Sequence, residues 1–481
     1  MFTLQYLRHH YIIERILTLG YIACSIDISR RTVFNIISYL QCLKIYLSAR
    51  TLAQLNVIVT ALLAMTGRVT MLGISRWTGE GGSYRTVQRF FNTPIAWVKV
   101  HWCLIRHCFL SSDDVFIIAG DETVVTKSGK TTHGIDRFFS SLYEKVVPGL
   151  SFFTISLIST KNRTSFPLMI QQIVRSEEKT KCTEDLSSTK NSKGDQNKSE
   201  PKKKNGPGRP KGSRNKNKED VYLSPYLCFI QSMLNKVLQI IGNCTILNYI
   251  VFDGAFGNNN ALQMVKQCRK HLISKLHRNS ALYFPYSGKY SGRGRRKKYG
   301  SRVDYDNIPE EYLKETTNEG SIQTKIYQMT LLHKLFAQQL NIVIIVKMNL
   351  KTHARSHVIL FSSDLDLPYG KLIDYYSLRF QIEFNFRDAK QYWGLEDFMN
   401  VKKTPVTNAV NLAFFMVNLS RALIDEVREH NPFFGVQDLK AYFRAGKYLY
   451  ETLKLIPEKP DPILIQQIFA QITKIGSINT P

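Results

Sequence analysis

The sequence predicts an α/β protein with a mixed sheet at its centre and helical regions before and after it. Two observations point that way. The first is a pair of like-built units, VFIIAGDETVV at 115–125 and TILNYIVFDGAFGN at 245–258, each an apolar run that meets an acid, Asp121 or Asp253, beside a glycine. Continuous apolar runs of this length, rich in β-branched residues, read as buried strands. The second is the contrast around them: residues 1–110 and 401–481 carry helix-type spacing, with prolines 405, 432, 457 and 460 punctuating the latter.

Taken in order, Leu52–Met65 reads as an apolar helix. Met71–Trp77, the break Gly79-Glu80-Gly81-Gly82-Ser83 and Tyr84–Phe91 then read as helix, turn, helix. The last of these lines up Arg85, Gln88 and Arg89 on one side, as in a groove-reading helix; an ordinary helical hairpin with a basic face reads equally well. Strands follow at 115–125, Leu150–Ser159 and Phe166–Val174, with the basic turn Lys127-Ser128-Gly129-Lys130 after the first. Three consecutive strands, the first ending in an acid at Asp121, fit the opening of a ribonuclease-H-like sheet. Order lapses over 175–222, which has almost no large apolar side chains. A helix at Pro225–Ile241, the second strand-acid unit, a helix at Asn259–His271 and a short strand near Leu272–Leu276 come next. Strands at Lys325–Phe336, Asn341–Met348 and His357–Ser362 suggest a small β subdomain within 279–370. The expected organisation is thus 1–110 as a helical region with the candidate groove-reading helix, 111–278 as the first part of the α/β core, 279–370 as a β-rich insertion, 371–400 as a core helix and 401–481 as a helical end.

The charge balance narrows the partner. Lys and Arg number 65 against 38 acids, for a net +27, the footprint of a polyanion binder, with nucleic acid the leading candidate. No uncharged apolar run reaches the 18 or so residues of a spanning helix, and Arg8, Glu14 and Arg15 interrupt any signal-peptide core. A cytoplasmic location is expected. Eight cysteines without a C-x-x-C pair suit reduced thiols. His101, Cys103, His107 and Cys108 crowd together without a second ligand pair at finger spacing, and a packed helix explains them better than zinc.

Two segments concentrate the positive charge. Residues 198–218 hold nine Lys or Arg against the single acid Glu200, and the run 206–212, with Arg209 and Lys211, is AT-hook-like, a Gly-Arg-Pro core for a narrow minor groove. A merely basic loop is the plainer reading. Gly288–Arg302 carries Lys289, Arg293, Arg295, Arg296, Lys297, Lys298 and Arg302 with no acid, interleaved with Tyr286, Tyr290 and Tyr299, a mix suited to backbone contact and base stacking.

The third candidate acid is Glu383. Tyr376, Arg379, Glu383 and Lys390 are spaced by three, four and seven positions, which on a single helix places them within about 60° of one another. A carboxylate ringed by cations suits a site that holds metal and grips phosphate; a solvated face with pairs such as Glu383–Arg387 is the bland alternative. In a ribonuclease-H-like sheet the first and fourth strands are neighbours, so Asp121 and Asp253 can share metal while a later helix supplies Glu383. In-line phosphoryl transfer uses two Mg²⁺ ions about 3.5–4 Å apart, and such hard cations take few carboxylate ligands. Asp121 is then expected to bridge both, with Asp253 and Glu383 holding one each.

Tyr-x2-Arg-x3-Glu-x6-Lys over 376–390 resembles the signature of bacterial insertion-sequence transposases of the DDE type, the YREK group. With Gly120-Asp121 and Val251-Phe252-Asp253-Gly254, the resemblance covers about 115–400. It implies a ribonuclease-H-like core with a β-rich insertion and Mg²⁺ (Mn²⁺ as a substitute). The implied reaction is cleavage of transposon DNA ends followed by strand transfer into target DNA, in a homodimer that synapses two ends. It implies Asp121, Asp253 and Glu383 as catalytic metal ligands, and Tyr376, Arg379 and Lys390 as phosphate-positioning residues. The long basic segment at 175–222 departs from that pattern. A catalytically idle DNA-binding derivative, or another ribonuclease-H-like nuclease, is the alternative.

The basic segment yields the first prediction. Deleting 198–218 weakens DNA binding and flattens its salt dependence; an unchanged slope of log affinity against log salt rules out phosphate contact there.

Overall fold

The computed structural model describes residues 34, 36–79, 81–140, 144–175, 217–290, 292, 294–458 and 460–479. Most of 175–222, with Arg209 and Lys211, lies outside the described residues, as does Arg293.

Among the described residues, five α-helices precede the sheet: α1 (Ile36–Gln41), α2 (Ala49–Ala64), α3 (Met71–Trp77), α4 (Tyr84–Asn92) and α5 (Trp97–Cys108). Ser48, Thr70 and Ser83 cap α2, α3 and α4 by accepting a backbone N–H in the first turn. Strands β1 (Phe116–Thr126), β2 (Asp136–Ser140), β3 (Lys145–Ser159) and β4 (Thr164–Ile173) follow. Helix α6 (Pro225–Ile241) begins where Ser224 supplies the cap and Pro225 the first turn. Then come β5 (Leu247–Val251), α7 (Asn259–Gln267), β6 (His271–Leu276), β7 (Leu282–Pro285), β8 (Tyr299–Arg302), β9 (Leu313–Glu319), β10 (Ile322–His333), β11 (Gln339–Asn349) and β12 (Arg355–Ser362). The chain closes with α8 (Tyr369–Leu378), α9 (Gln381–Tyr392), α10 (Lys403–Arg428), α11 (Val436–Leu455) and α12 (Pro462–Ile472).

The strands form one sheet in the order β2-β3-β1-β5-β6-β12-β11-β10-β7-β8, with β4 on β3 and β9 on β10. Within it β4-β3-β1-β5-β6 is the ribonuclease-H-like core. β1 pairs antiparallel with β3 and parallel with β5, which runs parallel to β6. The strands after residue 280 join that same sheet through the antiparallel β12–β6 pair, so they extend the core edge and do not stand apart from it. The short β2, paired with β3, is an element the sequence did not signal.

Apolar side chains cover both faces. On one, α6 and α7 pack Ile230, Met233, Leu234, Met264 and Val265 against Phe116, Ile118 and Phe252. On the other, Leu372, Tyr375 and Leu378 of α8 lie on Ile117, Ala119 and Val251. The helices before and after the sheet share one core: α2 packs on α11, and α9 and α10 bring Ile382, Phe386, Phe414 and Phe415 to Leu55, Val87 and Phe90. Asn408, 1% exposed, ties the two ends together. Its Oδ1 accepts from Trp97 Nε1 at 2.7 Å, and its Nδ2 donates to the carbonyls of Phe91 at 2.7 Å and Thr93 at 2.8 Å. Among the described residues no helix is long and apolar enough to cross a membrane.

Gly120 sits where strand and aromatic rings meet. A Cβ there would lie 2.6 Å from Phe252 Cε1 and 2.9 Å from Phe153 Cζ. Gly120→Ala therefore displaces two buried rings and costs about 1–3 kcal/mol, as overpacking does. Chemical denaturation reads this directly, and an unchanged midpoint contradicts the close approach.

Candidate active site

The acids are set out by strand register. Parallel pairing of β1 with β5 ends at Ala119 opposite Val251, and Asp121 and Asp253 each lie two residues further on. Side chains alternate across a strand, so each acid shares the face of the Ala119 or Val251 before it. That is the face α8 covers. β1 itself does not end at Asp121, as the sequence suggested; it continues to Thr126 because β3 pairs with it all the way to Thr126 opposite Gly149.

The residues of the 376–390 stretch reach this edge from two helices, not one. The single helix expected there is interrupted between α8 and α9 by a tight turn at Arg379–Phe380. Both residues stay in the right-handed region (φ −50° and −60°), with Phe380 N–H bonded to Ser377 O at 3.2 Å and Ile382 N–H to Arg379 O at 3.1 Å. The turn lets α8 lie on the sheet while α9 swings into the helical core.

Arg379 is the centre of what results. Its Nη1 meets Asp121 Oδ2 at 3.0 Å and its Nη2 meets Glu383 Oε1 at 3.5 Å, with the arginine side chain only 14% exposed. Its Nε has no hydrogen-bond partner among the described residues. Tyr376 packs beside Arg379; burial and the charge of Asp253 raise its phenol pKa, and Arg379 opposes that rise. Lys390 Nζ bonds Val124 O on β1 at 3.0 Å and Glu396 at 3.2 Å. Arg387 pairs with Asp388 at 3.0 Å, not with Glu383 as the bland reading of the helix proposed.

Asp121 is a strained carboxylate. Burial pushes its pKa up to about 6, aided by the charges of Asp253 and Glu383; the Glu122 N–H and Arg379 pull the other way. The Glu122 N–H donates to Asp121 Oδ1 at 2.8 Å. Asp253 is set in its turn by Ala255 N–H at 3.1 Å, and its carbonyl accepts from Ser274 Oγ at 2.6 Å. Glu383 lies in the first turn of α9, where the helix dipole favours a carboxylate. Sequence spacing missed Tyr226 and Glu122. The Tyr226 hydroxyl donates to Glu122 Oε2 at 3.1 Å, and its pKa is raised by burial and by Glu122, Asp121 and Asp253. Nothing in the sequence links residues 104 positions apart.

Other expected contributors lie elsewhere. Lys127 is committed to the carbonyls of Phe398 at 2.7 Å and Glu396 at 3.0 Å and stacks on the Phe398 ring; burial lowers its pKa to about 8. Arg295, Arg296, Lys297 and Lys298 are exposed, with Arg296 over the Tyr290 ring at 5.1 Å and Lys297 over Tyr286 at 5.6 Å. Their loop joins β7 to β8, five and six strands beyond β5 in the sheet order, roughly 25 Å away at about 4.8 Å per strand. It does not line the acids. His101 is fully buried beside Asn418 and its pKa falls to about 3, the behaviour of a core histidine.

Among the described residues no three His, Cys, Asp or Glu side chains stand together as a preformed metal cluster. The donor chemistry nonetheless suits a hard divalent ion. Asp121, Asp253 and Glu383 offer carboxylate oxygens alone, few in number, and a cation beside Asp121 opposes the burial and the acid charges that lift its pKa.

A family model described as DDE superfamily endonuclease matches residues 38–330, more than half of the chain. The fold is ribonuclease-H-like, and the chain belongs to the DDE endonuclease superfamily. Membership implies a nuclease-type enzyme with a DNA substrate and a divalent metal requirement. The match includes Asp121 and Asp253 and stops short of Glu383. No match was found among curated proteins.

Asp121 makes stability depend on pH. Its native pKa of about 6 exceeds the unfolded value of about 3.9, so the native state holds the proton more tightly. In EDTA this contribution is full below about pH 4 and is lost as pH rises through 6. Asp121→Asn removes that fall and raises stability at pH 7 relative to wild type. Parallel pH profiles of the melting temperature for the two proteins contradict the shift.

Proposed function

We propose that the protein is a DDE transposase of the YREK-signature group, cutting the ends of a transposon and joining them to target DNA. The observation that carries this reading is the placement of Arg379 between Asp121 and Glu383, 3.0 and 3.5 Å away. It joins a signature arginine, a strand-edge acid and the signature glutamate in one constellation.

In this reading Asp121, Asp253 and Glu383 are the catalytic acids and hold two Mg²⁺ ions, or Mn²⁺ in their stead. Bound there, the metal neutralises charge on the phosphoryl oxygens and acidifies the attacking water or 3′-hydroxyl. The chain's own groups do the rest. Arg379 is a mobile counter-charge: a phosphate entering the site takes its free donors, including Nε, and loosens its hold on the acids. Guanidinium forks suit phosphate for this purpose. The Tyr376 hydroxyl, kept protonated by burial, donates to a phosphate oxygen, and Lys390 supplies positive charge along β1. Tyr226 remains a neutral phenol that orients Glu122 beneath the acids.

Support for DNA as partner comes from the net charge of +27. Arg85 and Arg89 on α4 are exposed while Val87 and Phe90 anchor it in the core, the arrangement of a helix presented to a groove. Arg295, Arg296, Lys297 and Lys298 contact phosphates well away from the cut, on the same duplex, and Arg209 with Lys211 add minor-groove or phosphate contacts. Domain roles follow: 1–110 reads DNA, the core with residues 371–400 cuts it, 279–370 and 401–481 support it, and two copies synapse two ends.

Glu383→Gln abolishes Mg²⁺-dependent cleavage and strand transfer on DNA carrying the element's ends, while gel-shift affinity stays within about threefold of wild type. Retained cutting removes Glu383 from the site, and binding without cutting by the wild type favours an idle DNA-binding derivative.

A further inference from the structure

On the far side of α9 from Glu383 lies a second polar cleft of about 560 Å³, walled by α9, α10, the start of α11 and the β3–β4 turn. Gln381, Asn385 and Asp388 on its wall project about 160° around α9 from Glu383 at 100° per residue, while Phe384 and Arg387, at about 100° and 40°, stand at the rim between the cleft and the acids. Four arginines line it, Arg163, Arg387, Arg421 and Arg428, against two acids, Asp388 and Asp438. The Asp438 carboxylate is already spent on backbone N–H groups of Gly435, Ile478 and Asn479.

The arginines are oriented but not saturated. Arg163 pairs with Asp374 at 2.6 Å, Arg387 with Asp388 at 3.0 Å and Arg421 with Asp425 at 2.9 Å. A guanidinium carries five N–H donors, so each has donors left for a ligand. Arg428 donates Nε to Phe434 O at 2.9 Å, and burial together with the charge of Arg421 draws its pKa below the usual guanidinium range. Asp425, paired with Arg421, offsets part of that effect on Arg428. Two further features point beyond a simple ion. Asn418, 0% exposed, lines the cleft, and its Oδ1 has no partner among the described residues. The Phe384 ring, 37% exposed, lies at the mouth with the Arg387 guanidinium 4.9 Å from its centroid.

We propose that this cleft is a nucleotide site: its arginines take a phosphate, Phe384 stacks the base and the Asn418 oxygen accepts from a base amino group. Planar guanidinia match phosphate in two-point fashion, aromatic faces stack any base, and the volume is in the range of pockets for ligands of that size. The same chemistry is offered by a free nucleotide and by a nucleotide within a DNA strand. The proposal requires no role for Asp121, Asp253 or Glu383.

Photoaffinity labelling of the full chain tests it with two probes, 8-azido-ATP and a trinucleotide carrying 5-iodouracil, followed by peptide mapping. Adducts of either probe on peptides from 381–392 or 417–428 are expected. They fall at least tenfold in the Arg387→Ala/Arg421→Ala double variant and are unchanged in Asp121→Asn. Labelling by the azido probe identifies a free nucleotide as ligand, and labelling by the trinucleotide alone identifies a DNA strand. Adducts only elsewhere, or equal labelling of the double variant when its melting curve matches wild type, overturn the proposal.

Discussion

The guanidinium of Arg379 is the piece on which the candidate site depends. Burial of the Asp121 carboxylate, aided by the charges of Asp253 and Glu383, raises its pKa to about 6. A buried charge without compensation is far more expensive than one that is paired. Arg379 compensates two of the acids at once, and it can do so because the turn at Arg379–Phe380 aims its side chain back at β1.

That turn is in turn fixed from two directions. α8 is pressed on the sheet by Leu372, Tyr375 and Leu378, while α9 is drawn into the helical core by Ile382, Phe386 and Ala389. Asn385 Nδ2 bonds Ser165 Oγ at 2.8 Å and locks α9 to β4. The helical core is itself made by both ends of the chain, knitted by Asn408. The geometry at Asp121 therefore rests on contacts between residues more than 300 positions apart, which places fold integrity and site geometry under common control.

Much of this was legible in the sequence where local physics decides the outcome. The strand running into Asp121, the helices over Met71–Trp77 and Pro225–Ile241, and the alternation of strand and helix through the core all follow from side-chain patterns of short range. The repeat of an apolar strand with an acid beside glycine pointed to Asp121 and Asp253, which lie two residues beyond the last parallel pair of β1 and β5. What could not be read has a common cause. The break before α9 contains no glycine or proline, and its residues keep helical dihedrals, so nothing local marks it. The run of β1 past Asp121 is dictated by its partner β3, and the joining of β12 to β6 by partners 80 residues apart. Tyr226, and the arginines of the second cleft, meet their neighbours only through the tertiary fold.

Binding of Mn²⁺ to the full chain, followed by electron paramagnetic resonance at pH 7, tests most directly whether the three acids act as one site. The account predicts saturable binding that is weakened at least tenfold in Asp121→Asn and again in Asp253→Asn. Arg379→Ala, which removes the competing positive charge, should bind Mn²⁺ more tightly than wild type. Equal binding by wild type and both asparagine variants, each folded by its melting curve, would contradict it.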